Sequence, residues 1–180
     1  MTERRTLIAD AAIRMLAEAG SRGLTHRAVD RAAGLAEGST SYYVRTRAEL
    51  LKAAVDRLAE LDSEALAPVG GGSLVSDLAE VVQQLLTGER HRLLARYELA
   101  LESVRRPELR EVLGAGTRRV HEAIAQRLAE QDAASARERA DAVLALVDGL
   151  LFAELTAPDE RRRDPDKIRR ALTWLVGTSG

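Results

Sequence analysis

The feature that most constrains this chain is a pair of very short helical segments, 26–33 and 37–43, hinged on Gly34 and set between two long amphipathic stretches. Helices this short do not persist alone in water, so packing against their neighbours must hold them. The stretch ahead, Glu3 to Ala19, places Leu7, Ile8, Ala11, Ala12, Met15, Leu16 and Ala19 at the spacing of one helical face, and Gly20 and Gly23 end it. Leu24 is expected inside, and the Thr25 hydroxyl is placed to cap the next helix. There Ala28, Val29, Ala32 and Ala33 turn inward, and Gly34 supplies the left-handed residue of a sharp turn. A longer helix, Arg47 to about Leu66, carries Leu50, Leu51, Ala54, Leu58 and Leu61 on its inner face.

The rest of the chain reads the same way. Hydrophobic residues make up 46% of it but aromatics only 3%, a balance of Leu, Ala and Val that suits helix-on-helix packing. Further helices are expected near Leu74–Leu86, Glu89–Val104, Pro107–Glu130, Ser135–Thr156 and Pro165–Val176, with Pro107 and Pro165 in first turns and Asp164 as a cap. The run Pro68-Val-Gly-Gly-Gly-Ser73 reads as a helix–helix connection, because no strand precedes it and no Lys-Ser/Thr follows, as a phosphate cradle would need. The fold class is therefore all-α: an N-terminal tri-helical domain over residues 1–47 and a helical bundle over 48–180.

Composition also narrows function. The absence of cysteine excludes disulfides, thiolate metal sites and a cysteine nucleophile. No uncharged apolar stretch reaches the ~18–20 residues of a membrane span; the longest candidate, Ala142–Ala153, is interrupted by Asp148. The N-terminus enters an amphipathic segment without a signal-like apolar block, so a cytoplasmic location is expected. Net charge is −1, unevenly spread: residues 1–47 hold eight arginines and five acids, a net of +3, against −4 for the remainder. A basic head on an acidic body suits local contact with phosphates.

The segment Gly23–Leu51, GLTHRAVDRAAGLAEGSTSYYVRTRAELL, has unusual contents for a purely structural element. Gly38, Ser39, Thr40 and Ser41 are poor to middling helix formers, yet small hydroxyl side chains permit close approach to a nucleic-acid surface. Tyr42 and Tyr43 follow, then Arg45 and Arg47, whose natural partners are phosphate oxygens. A tri-helical unit of this kind can present its last helix to the major groove. With its glycine turn, small-residue helix ending in tyrosines, basic residue and leucine pair, the segment Gly34–Leu51 resembles the TetR family of bacterial repressors. The motif match covers about the first 60 residues; beyond it, Arg96–Glu102 and Val147–Leu151 look like segments of family members.

Carried over position by position, the resemblance implies that Arg27, Glu37, Gly38, Ser39, Ser41 and Tyr42 face DNA. It places Thr25, Tyr43 and Arg47 on the DNA backbone and buries Thr40 and Val44. Arg27 is the leading candidate for guanine, whose O6/N7 pair matches the guanidinium fork; the bland alternative is a solvated or phosphate-bound arginine. Three departures bear on operator sequence. Ala36 stands where a capping serine is common, Val44 replaces the usual phenylalanine, and Ser41 a common tyrosine. Glu37 brings a negative charge toward DNA and needs a cytosine amino group or a neighbouring arginine as partner.

In the body, Ala140–Leu155 is apolar almost all round and so must be covered on two sides. One side is its own core; the other is expected to meet a second chain, through Val143, Leu144, Leu150, Leu151 and Leu155 with Ile168, Leu172 and Leu175. The resemblance further implies a small-molecule effector. Helical spacing offers Val82, Leu94, Tyr97, Leu101, Ile124, Val147 and Leu151 as lining, with Glu98 and His121 as polar neighbours. The expected partners are thus a double-stranded operator, an unidentified small molecule and a second copy of the chain, with no cofactor and no metal. Two readings compete with a repressor: a helical interaction module without DNA binding, and an activator on the same fold. An enzyme is disfavoured, because the histidines (26, 91, 121) are scattered and no nucleophile elbow, nucleotide fingerprint or P-loop is present.

Overall fold

The apolar spacing of the sequence becomes nine helices among the described residues, which in this computed structural model are 3–66, 73–157 and 165–176. They are α1 (Glu3–Gly23), α2 (His26–Ala32), α3 (Ser39–Tyr43), α4 (Arg47–Leu66), α5 (Leu74–Thr87), α6 (Arg90–Arg105), α7 (Pro107–Ala129), α8 (Ala136–Thr156) and α9 (Pro165–Val176). No strand occurs among the described residues. No helix among them is long and apolar enough to cross a membrane. The connection 68–72 and the expected cap Asp164 lie outside the described residues.

The helices divide between two compact units, Met1–Glu64 with Arg90–Gly116, and Ala65–Glu89 with Thr117–Gly180. The first unit therefore takes in more than residues 1–47. Its core joins Ile8, Leu16, Leu24, Val29, Leu50, Leu51 and Leu58 to Leu99 and Leu109, so the N-terminal helices share a single apolar interior with α4, α6 and the start of α7. Each such side chain, fully buried, contributes about 1.5–3 kcal/mol. Polar ties reinforce the packing: Arg57 of α4 binds Asp10 of α1 at 2.9 Å, and Asp62 of α4 accepts from Arg96 of α6 at 2.6 Å.

Local signals explain the boundaries. The α1 path breaks at Gly20 (φ 65°, ψ −177°), the left-handed residue that ends the regular helix near Ala19. Thr25 caps α2 by accepting from Ala28 N–H at 3.2 Å. At the start of α4, Thr46 Oγ1 accepts from Glu49 N–H at 3.1 Å while the Glu49 carboxylate accepts from Arg45 and Thr46 N–H, a reciprocal capping box.

In the second unit α8 packs with α5 and α9. Val143, Leu150, Leu151, Leu155, Ile168 and Leu172 are all buried within the chain itself, and Leu144 is half-buried. Of the residues expected from sequence at a junction between chains, these six are thus buried in their own unit and Leu144 is partly exposed; the Leu175 side chain lies outside the described residues. The α8 face that remains exposed runs through Asp141, Ala142, Ala145, Asp148, Gly149 and Phe152, and α9 exposes Trp174. Periodicity fails here because a helix apolar all round does not reveal which side its own domain covers.

Candidate nucleic-acid interface

The site is built on α2, α3 and the turn between them. Gly34 (φ 64°) closes α2, and Leu35 N–H returns to Asp30 O at 2.8 Å. The chain then reaches Gly38 at φ 90°, a left-handed conformation that holds it out of the helix, so α3 begins at Ser39 rather than at residue 37. A helix of five residues leaves its first N–H groups without internal partners. Asp30 supplies them: its carboxylate accepts from Gly38 N–H at 2.8 Å and from Thr40 N–H at 2.7 Å. That side chain, almost fully buried, fixes α3 to α2 and compensates for the missing capping serine at 36.

Burial alone would raise the Asp30 pKa; the Thr40 side chain, the two N–H donors and the charge of nearby His26 outweigh it and hold the carboxyl below its ordinary value. The fully buried Thr40 hydroxyl faces this carboxylate without a well-formed hydrogen bond of its own. His26 Nε2 lies 2.8 Å from Val44 O, tying the start of α2 to the end of α3. Two α1 arginines complete the frame, Arg14 donating to Ala32 O at 3.2 Å and Arg5 to Tyr43 O at 3.4 Å, where cations suit the carbonyl ends of helices.

On this frame the predicted contact residues fall into three groups. Arg27, Glu37, Gly38, Ser41 and Tyr42 are exposed, Tyr42 most strongly, and its ring packs edge-on against Tyr43 at 5.1 Å. Arg27 and Glu37 meet in an exposed ion pair of 2.8 Å that bridges the first turn of α2 and the turn before α3. Ser39 and Tyr43 are half-buried, Thr25 is exposed while capping α2, and Thr40 and Val44 are buried. Arg47 stands apart. Its guanidinium donates to Leu24 O, Ser21 O and Ser21 Oγ inside the unit, tying the start of α4 to the connection between α1 and α2. Arg47, expected on a phosphate, is thus half-buried with its guanidinium turned to the protein, whereas Arg31 and Arg45 beside the site are exposed.

Sequence reasoning missed Asp30 as the organiser of the site. The one available signal was an acidic residue on α2 followed, eight and ten positions later, by the N–H groups it binds.

The residues expected around an effector divide between the units. Leu94, Tyr97, Glu98 and Leu101 belong to the first, where Leu101 is 61% exposed and Glu98 accepts from Ser21 N–H at 3.1 Å, anchoring the end of α1. Val82, His121, Ile124, Val147 and Leu151 belong to the second, where Val82, Ile124 and Leu151 are core and His121 pairs with Asp141 at 3.0 Å.

Comparison with known proteins bears on the whole chain. Residues 69–178 match the family described as tetracyclin repressor-like, C-terminal domain. A solved structure of a TetR-family member from Streptomyces coelicolor A3 is 32% identical, with 96% of this chain and 98% of that one covered and a TM-score of 0.81. The multidrug binding protein EbrR, solved with ethidium, is 32% identical over 96% of this chain and 98% of its own, with a TM-score of 0.75. The same protein solved with proflavin is 33% identical over 96% and 99%, with a TM-score of 0.66. No curated protein matches.

Proposed function

The chain belongs to the TetR family of transcriptional regulators, and we propose that it is a repressor that binds a palindromic operator as a homodimer and is released by a small-molecule ligand. The observation that carries the DNA-binding half is the Asp30-braced α2–α3 pair, which holds Arg27, Glu37, Ser41 and Tyr42 on an exposed surface flanked by Arg31 and Arg45. Arginine and tyrosine at such a surface supply base and phosphate contacts, and the small residues around Gly38 allow the backbone close to the groove. Tyr43 and Ser39 contribute from the edge of the same helix, with Thr25 at the start of α2.

The dimer is supported by Phe152 on the exposed face of α8 and Trp174 on α9, large apolar side chains that a second copy would cover. Ligand release is supported by likeness to EbrR, whose structures contain ethidium and proflavin. A ligand that prefers one conformation of the dimer lowers DNA affinity by as much as it discriminates between conformations. The site of action is the cytoplasm, where the operator lies.

Enrichment of operator fragments from random DNA tests this reading. A recovered inverted repeat, bound with a Kd of about 10⁻⁸ M or tighter, supports it. Recovery of no sequence leaves a helical interaction module. A reporter driven by the recovered site then separates repression from activation.

A further inference from the structure

Glu98 and Glu102 stand one turn apart on the same face of α6, both half-buried, where two like charges repel unless donors separate them. The donors come from other parts of the first unit. Glu98 accepts from Ser21 N–H at 3.1 Å, and Glu102 from Arg106 Nε at 2.6 Å. Arg106, joined by the Ser21 hydroxyl and the charge of Arg47, outweighs burial and holds the Glu102 carboxyl below its ordinary value. Ser21 is engaged by α4 as well: Arg47 donates to its hydroxyl at 3.0 Å and to its carbonyl. Gly20 makes room for this arrangement. A Cβ there would lie 3.2 Å from the Glu98 carboxylate, and its φ of 65° is one that side chains rarely adopt.

The end of α1, the start of α4 and the middle of α6 thus meet at one serine, whose N–H, carbonyl and hydroxyl are all used. Apolar contact between α1 and α6, through residues such as Ile8, Leu16 and Leu99, holds the helices together but is non-directional. Charge-assisted hydrogen bonds are directional, so they fix the rotation of one helix on another. The position of this joint gives that rotation a consequence. From Ser21 the chain leads directly into α2 and α3. α6 instead continues into the second unit, at 89–90 from its start and at 116–117 through α7 from its end. It is therefore one of the elements that join the DNA-facing helices to the unit bearing the proposed pairing surface.

We infer that the Ser21 joint positions α2 and α3 against α6 and thereby sets the half-site spacing that the dimer accepts, with Glu98, Glu102 and Arg47 as its positioning residues. The inference rests on the DNA-binding and dimer readings above and adds to them what fixes the spacing. Each base pair added between half-sites moves one from the other by about 3.4 Å and turns it by about 35°, so only a stiff joint discriminates between separations.

The test uses purified full-length protein. The half-site that wild type selects from random duplex DNA is offered again as inverted repeats one and two base pairs longer and shorter. Wild type, Glu98→Gln, Glu98→Ala and the double variant Ser21→Ala/Glu98→Ala are titrated on each, with thermal melts alongside. Wild type should lose about tenfold in affinity for each base pair of change. Glu98→Gln, which keeps an oxygen to accept from Ser21 N–H, should retain that profile. Glu98→Ala and the double variant should keep the half-site sequence while their affinities for neighbouring separations fall within about threefold of one another. An alanine variant that folds and keeps the wild-type spacing profile would overturn the inference, even if its affinity dropped evenly on every repeat, since an even drop is what a purely structural tie gives. Should the double variant not fold, Glu98→Ala alone decides. If wild type selects no repeat, the DNA-binding or dimer reading falls, and this one with it.

Discussion

Asp30 and Arg47 show how far a residue's role can lie from its local pattern. Asp30 is buried and accepts two backbone N–H groups, so Asp30→Ala leaves the buried Thr40 donor and the part-buried Gly38 donor without their partner. A loss of about 2–3 kcal/mol in urea-induced unfolding is expected. Its pH dependence has a definite sign. The folded-state carboxyl titrates below its ordinary value of 3.8, so its contribution is complete above the unfolded value and is lost as pH falls through the folded one. The melting-temperature gap between wild type and Asp30→Asn should therefore hold steady from neutral pH to about pH 5 and close at lower pH. A gap unchanged at pH 3 would contradict that account. Arg47 makes the opposite case, a residue expected on the DNA backbone whose guanidinium donates to Leu24 and Ser21. Arg47→Ala should lower stability, whereas Arg45→Ala should leave stability nearly unchanged and reduce the salt slope of DNA binding by about one. Thermal melts and anisotropy titrations over a salt series separate the two effects.

At the scale of elements, the nine helices were legible from apolar spacing, Pro at first turns and Gly at breaks; most boundaries fall within a residue or two of expectation. The start of α3 was not, because its cap comes from α2 across a turn rather than from an adjacent residue. The destination of Arg47 was hidden for a related reason, since its acceptors, Ser21 and Leu24, lie more than twenty residues earlier in the chain. Periodicity likewise named the apolar residues of α8 but could not assign its two sides. Gly38 gives the sharpest element-level test. A Cβ there would meet open space, so Gly38→Ala carries a backbone effect alone, the strain of φ 90° on an L-residue. That costs about 1–2 kcal/mol, read by denaturant unfolding. DNA affinity should fall along with it, because the same turn carries Glu37.

At the scale of the molecule, the proposed DNA-binding surface lies in the first unit and the large exposed apolar side chains of α8 and α9 in the second. Phe152 and Trp174 are large apolar side chains in the second unit left exposed by the single chain. Phe152→Arg should convert the dimer to monomer in light scattering without altering the core of that unit, and Trp174 emission should shift to the red as the interface opens. A protein already monomeric as wild type would contradict the assembly proposed for it.

The most direct test of the central claim is fluorescence anisotropy of the purified protein on its selected inverted repeat, beside a probe with one half-site scrambled, over a salt series. The expected result is one dimer per repeat, a Kd of about 10⁻⁸ M or tighter, a steep loss of affinity with salt and roughly a hundredfold weaker binding to the scrambled probe. Equal affinity for both probes, or none for either, would contradict it.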